Sequence, residues 1–211
     1  MLRRHPKLKV MRIVLASASP RRKEILTVNG GLSIEVIPSN FEEDIDKRLC
    51  SSPEEYVSRT SLGKLNDILE RIEKKDIVDS FDIVICADTI VVRDNEILEK
   101  PSSPSDALRM LQSLSGRSHR VLTAVTLGVK LSSSGQFNTK SFVETTQVHF
   151  AELDDESIEA YIATGEPFDK AGGYGIQALG SSFVKGIEGC YFNVVGFPLH
   201  RFCVELLAML P

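Results

Sequence analysis

A carboxylate in the middle of an apolar strand is costly unless a cation or a metal holds it, and the run Ile85-Cys86-Ala87-Asp88-Thr89-Ile90 carries one. Asp88 reads either as a structural carboxylate bonded to backbone N–H groups, or as a metal ligand or general base in a cleft at the strand's end. Upstream, Ser17-Ala18-Ser19-Pro20-Arg21-Arg22 follows a short apolar run. Ser19 suits a helix N-cap and Pro20 the first helical position. First turns ordinarily carry Asp or Glu, so two arginines there cost energy unless an anion uses them. The pair either points to solvent and Glu24 or clamps phosphate, without being a P-loop, since G-x-x-x-x-G-K-[ST] occurs nowhere. The third cluster, residues 165–177, sets Glu166, Asp169, Lys170 and Gln177 among glycines that let backbone approach a ligand closely. Acid and base in such a loop suit a metal–phosphate site or merely decorate a turn, and the Gln177 amide has the paired donor and acceptor that reads a base edge. Lys100, beside Pro101, is a lone cation placed to approach Asp88. His5, His119, His149 and His200 form no zinc spacing and no Ser/His/Asp order.

The elements that must position these groups alternate between strand and helix. Residues 12–16 predict a strand and Pro20 onward a helix; 32–37 predict a second strand, followed by an acidic loop at 41–46. Ser52-Pro53-Glu54-Glu55 is a capping box, and Leu65, Ile68, Leu69 and Ile72 carry a long amphipathic helix beyond it. Residues 81–92 are near-continuously apolar and β-branched, as a central strand should be. Asp94-Asn95 turns the chain into a short strand ending at Lys100-Pro101. Ser103-Pro104 opens a helix stopped at Gly116. Residues 118–131 and 136–151 predict two long strands joined by a turn at Ser132-Ser133-Ser134-Gly135. A short helix spans 154–163, and a last one closes the chain at 199–210. Residues 165–196 hold eight of the chain's 14 glycines and read as tight turns rather than a regular element. The expectation is an α/β fold with a mixed sheet: a basic extension at 1–11, then a single domain at 12–211 folded as two lobes.

Composition excludes several classes. Apolar residues at 42% and charged residues at 26% suit a globular core, and 25 basic against 29 acidic residues give a net charge of −4. That balance argues against a nucleic-acid polymer or an anionic membrane as partner, while leaving room for a small anionic substrate. Cys50, Cys86, Cys190 and Cys203 match no C-x-x-C spacing, with Cys86 and Cys203 in apolar runs. The basic N-terminus lacks an apolar signal core and no stretch is apolar enough to span a membrane, so a cytoplasmic location is expected.

Taken together, residues 15–26, Ala87-Asp88-Thr89, Lys100-Pro101, Leu114-Ser115-Gly116-Arg117 with His119, residues 165–177, and Ile187-Glu188-Gly189 with Asn193 resemble the Maf family of nucleoside triphosphate pyrophosphatases. The resemblance runs from about residue 12 to the end. It implies an elongated mixed sheet flanked by helices, with two lobes around a nucleotide cleft, as in the inosine-triphosphate pyrophosphatases. Arg21, Thr89 and Gln177 are similar to the residues of the dTTP/UTP branch at those places; Gly173 stands where many members have alanine. The implied reaction cleaves a pyrimidine nucleoside triphosphate, modified ones included, to the monophosphate and pyrophosphate, a house-cleaning activity.

On that resemblance Asp88 is the general base and Lys100 a catalytic cation. Ser17, Arg21, Arg22, Lys64, Thr89, Lys170 and Gln177 bind substrate, and Glu43, Asp88 and Asp169 hold Mg²⁺ or Mn²⁺, hard cations that prefer oxygen ligands. Gln177 is expected as a buried amide that pairs with a uracil or thymine carbonyl and its N3–H. A homodimer is left open. The alternatives are a purine-directed inosine-triphosphate pyrophosphatase and a non-catalytic nucleotide-binding regulator of cell division.

Overall fold

A computed structural model describes residues 2, 5–77, 81–131 and 135–210. The expected turn residues Ser132, Ser133 and Ser134 lie outside these, as do Met1, Arg3 and Arg4 of the basic extension. Thirteen strands and helices are described: β1 (Ile13–Leu15), α1 (Pro20–Glu24), β2 (Glu35–Val36), α2 (Pro53–Glu73), β3 (Ile83–Arg93), β4 (Glu96–Leu98), α3 (Pro104–Leu114), β5 (Ser118–Lys130), β6 (Phe137–Phe150), α4 (Asp155–Ala163), β7 (Val184–Glu188), α5 (Tyr191–Val195) and α6 (Leu199–Met209). The seven strands form one sheet in the order β2-β1-β3-β5-β6-β7, with β4 on β3. Strands β1–β2 and β1–β3 run parallel, β3–β4 and β6–β7 antiparallel, so the sheet is mixed and flanked by helices, as expected.

The chain divides into two compact units. The first comprises Met1–Asp88, Ala124–Val143 and Gly196–Pro211, the second Thr89–Thr123 and Glu144–Val195. In the first, α2 lays Leu65 and Ile68 against Val14, Val84 and Cys86 of β1 and β3. Ser61 Oγ, on the same helix face, donates to Thr126 Oγ1 of β5 at 2.9 Å, so one buried hydroxyl pair fixes how far α2 is rotated. In the second unit, α3 and α4 cover Val91, Val121, Val148 and Phe150.

Local chemistry explains most boundaries. Ser19, Ser52, Ser103 and Asp154 each cap their helix by accepting a backbone N–H in the first turn. Asp94 and Asn95 both take positive φ, the backbone of a two-residue hairpin turn. Two expectations need correction. The strand expected over 32–37 is only two residues long, because it ladders with the three-residue β1. The glycine-rich stretch 165–196, expected to hold no regular element, contains β7 and α5. Strand β7 gains its ladder from β6 in spite of Gly186, tertiary pairing overriding local propensity.

Candidate active site

The first unit gathers five of the expected site residues at one buried ion pair. Asp88 lies on β3 and Lys64 on the inward face of α2, with side chains only 12% and 9% exposed. Lys64 Nζ donates to Asp88 Oδ1 at 2.9 Å and stands 2.9 Å from Glu43 Oε1 as well. Asp88 is thus a paired carboxylate, as its apolar strand demanded.

Glu43 reaches this place because the acidic loop is tied to α2. Asp67 accepts Ser39 Oγ at 3.0 Å and Asn40 N at 2.9 Å, and the Phe41 ring lies against Gly63, where a Cβ would overlap the ring. The glycine one residue before Lys64 is therefore what lets the loop close on the helix.

Arg22 completes the group. Its Nη1 donates to Ser17 Oγ at 3.1 Å and its Nε to Gly196 O at 3.0 Å, holding the guanidinium in place. Ser17 is buried and also accepts Ser19 N at 3.3 Å. Desolvation lowers the Arg22 pKa from the usual arginine value, and the charges of Asp88 and Glu43 oppose that shift. Arg21 is half-buried in the same turn. Helix α1 ends after five residues and continues as a π turn over Ile25–Asn29. Burial pushes the Cys86 thiol up to about 12, so it is no nucleophile at neutral pH. Two cations, two carboxylates and a serine make a site that favours an oxyanion once a further positive charge arrives.

The second unit holds the rest. Glu166 accepts Tyr161 Oη at 3.0 Å, Leu179 N at 3.1 Å and Gly180 N at 3.2 Å, so this carboxylate clamps the glycine-rich loop. Lys170, with a side chain 13% exposed, donates to Glu166 O at 2.7 Å and pairs with Asp169. It lies across Gly175, where a Cβ would sit 2.5 Å from its Cε. Gly172 N donates to Glu99 O at 2.9 Å, which ties the Lys100 segment to the loop carrying Asp169 and Lys170. Lys100 itself is exposed. Thr89, half-buried on β3, shares a 3.0 Å hydrogen bond with Thr123 of β5. Gln177, expected as a buried amide, is exposed: it precedes the short helical turn Leu179–Phe183 and meets solvent.

Among the described residues no three His, Cys, Asp or Glu side chains gather closely enough to hold a metal ion. The pair Glu43 and Asp88 does converge, through the Lys64 ammonium, and its oxygens are the donor type that Mg²⁺ and Mn²⁺ take. Sequence reasoning missed the Glu166 clamp, the His119 Nε2–Tyr174 Oη bond of 2.7 Å and the role of Thr123. A threonine within Val121–Val125 carries no signal beyond being polar in an apolar run. No helix among the described residues is long and apolar enough to cross a membrane.

Several known proteins are similar to this chain over most of its length. A human protein named "Probable bifunctional dTTP/UTP pyrophosphatase/methyltransferase protein" is 48% identical over 94% of this chain, which spans about a third (32%) of that protein's length. A protein of Ruminiclostridium cellulolyticum named dTTP/UTP pyrophosphatase is 46% identical over 90% of this chain and 91% of its own. One of the same name from Bacillus cereus is 45% identical over 92% and 94% respectively. The sequence profile described as Maf-like protein matches residues 12–209, a span that takes in the Ser17–Arg22 turn, Glu43, Lys64, Asp88 and the glycine-rich loop, and on that evidence the chain belongs to the Maf family.

Proposed function

We propose that this chain hydrolyses dTTP, UTP and related pyrimidine nucleoside triphosphates to the monophosphate and pyrophosphate. The observation that carries the reading is the buried Asp88–Lys64 pair with Glu43 and Arg22 beside it, in a chain whose bacterial relatives of matching length are named for that activity. In the reaction a water oxygen bonds to the α-phosphorus as the bridge to the β-phosphorus breaks, and pyrophosphate leaves. Asp88 accepts the water's proton at its carboxylate; Lys64, bonded to Oδ1, holds that carboxylate oriented. Arg22, Ser17 and Arg21 bind phosphate oxygens, and Lys100 and Lys170 supply further cations. Glu43 and Asp88 would hold Mg²⁺ or Mn²⁺, which would neutralise phosphate charge.

Cytoplasmic house-cleaning of the nucleotide pool fits four free cysteines and a substrate found there. The test is a panel of UTP, dTTP, CTP and ITP with pyrophosphate release as readout. UTP and dTTP should lead. Equal turnover across the panel, or ITP in first place, overturns the pyrimidine reading, and absence of pyrophosphate from all four overturns the enzyme.

A further inference from the structure

Within the second unit, a chain of hydrogen bonds runs inward from Thr89. Thr89 Oγ1 and Thr123 Oγ1 are 3.0 Å apart, and Thr123 Oγ1 donates to the backbone carbonyl of Asn193 at 3.1 Å. The Asn193 amide is locked in turn: Nδ2 donates to Val121 O at 2.9 Å and to Thr146 Oγ1 at 3.0 Å. Thr146 Oγ1 also accepts Cys190 N at 3.0 Å and donates to Cys190 O at 3.1 Å. Thr123, Thr146 and Asn193 are all fully buried.

Proton direction along this chain follows from elementary bookkeeping. A carbonyl oxygen only accepts, and a hydroxyl has a single proton to give. With its proton on the buried Asn193 carbonyl, Thr123 can only accept from Thr89. The Thr89 proton is thereby committed inward, so toward anything else Thr89 is an acceptor.

We propose that Thr123 and Asn193 are positioning residues that polarise Thr89 as a fixed hydrogen-bond acceptor for the nucleoside half of the substrate. This rests on the reading above, that Thr89 touches a pyrimidine nucleotide. Phosphate and ring carbonyl oxygens are acceptors and are mismatched to such a hydroxyl. The imide N3–H of uracil or thymine and the sugar hydroxyls are donors and match it. A free hydroxyl would adapt to either kind of group, whereas a polarised one discriminates, because a mismatched partner leaves a polar group unpaired.

The test compares the parent with Thr123→Val, Thr123→Ser and Thr89→Val on three substrates: dTTP, an N3-methyl-dTTP lacking the imide proton, and 2′,3′-dideoxythymidine triphosphate lacking the sugar hydroxyl. Thr123→Val is near-isosteric but releases the Thr89 proton, and it should lower kcat/KM for dTTP by about 5- to 10-fold, the scale of one hydrogen bond. Thr123→Ser keeps the hydroxyl and should stay within about twofold. For one analogue, the one lacking the donor that Thr89 receives, Thr123→Val and the parent should be equally slow; which analogue does so tells the imide from the sugar. Should Thr123→Val fail to fold, Thr89→Val, which removes the acceptor itself, must give the same pattern.

A loss of equal size on all three substrates would make the network merely structural, and no loss on any would remove Thr89 from substrate contact; either result overturns the proposal. A parent inactive on dTTP would overturn the proposed function instead.

Discussion

Replacing Lys64 by methionine tests whether the ion pair at the centre of the site is the buried, interdependent group described above. Lys64 and Asp88 are each about one-tenth exposed, so screening by water is weak, whereas Glu43 is 53% exposed and its leg is worth about 1 kcal/mol or less. Removing Lys64 strands the Asp88 carboxylate, a cost of about 3–5 kcal/mol. A methionine stem buried in the same space returns about 1–2 kcal/mol. The net expectation is a loss of about 1–4 kcal/mol in urea unfolding. The chain has no tryptophan, so helix ellipticity is the signal to follow.

Because most of that loss is the stranded charge, adding Asp88→Asn to Lys64→Met should recover stability, to within about 1 kcal/mol of the parent. A Lys64→Met loss under about 1 kcal/mol, or a double variant less stable than either single one, would refute the account of the pair.

Asp88→Asn alone should lower kcat by about 10²–10⁴-fold while calorimetric binding of dTTP survives, and near-parental turnover would make Asp88 purely structural. Acid should weaken the fold through His119, whose pKa burial lowers from 6.5 to about 4. The unfolded chain takes up that proton near pH 6.5 and the folded chain only near 4. Stability is therefore full above 6.5 and lost as pH falls through this window, by about 2–3 kcal/mol between pH 7.5 and 4.5. His119→Phe should flatten that part of the profile, and an unchanged slope would refute the assignment. Gln177→Glu should change the kcat/KM preference for UTP over CTP by no more than about fivefold, since its amide is exposed; a change beyond tenfold would restore it as the principal reader of the base.

Elements whose local chemistry and tertiary role agree were legible in the chain. Long helix α2 was, because Ser52 caps it and Leu65 and Ile68 repeat at helical spacing; so was β3, because its apolar run is too long and too β-branched for a loop. Asp88 stood out for a physical reason, a charge where only a paired charge is tolerable, and its partner proved to be a lysine 24 residues upstream on a helix. That partner could not be read from spacing, since only the docking of α2 through Ser61 and Thr126 brings Lys64 to the strand. Strand β7 was missed because Gly186 masks its propensity and pairing with β6 supplies the order, and helix α5 because five residues are too few to show a helical period. The exposure of Gln177 was missed for the converse reason: an amide's chemistry is written in its type, but its burial depends on a turn.

The Glu166 clamp shows why residue type alone misassigns roles in such loops. By composition, Glu166 and Asp169 are a carboxylate pair beside a lysine, equally suited to metal binding. Their surroundings separate them. Glu166 already accepts one hydroxyl and two backbone N–H groups, so three of its roughly four lone-pair sites are taken up in holding the loop's shape. Asp169 is exposed and shares a lysine with the Glu166 carbonyl. A loop rich in glycine has little intrinsic reason to hold one conformation, since glycine loses the most entropy on ordering. Spending a carboxylate to fix it is what allows Lys170 to lie, nearly buried, over Gly175 instead of sampling solvent. The same economy appears in the first unit, where Asp67 holds the acidic loop so that Glu43 meets Lys64. In both places one acid is structural so that a neighbouring charge arrives already oriented, and preorganisation of that kind is what lets charged groups act on phosphate without reorganising during the reaction.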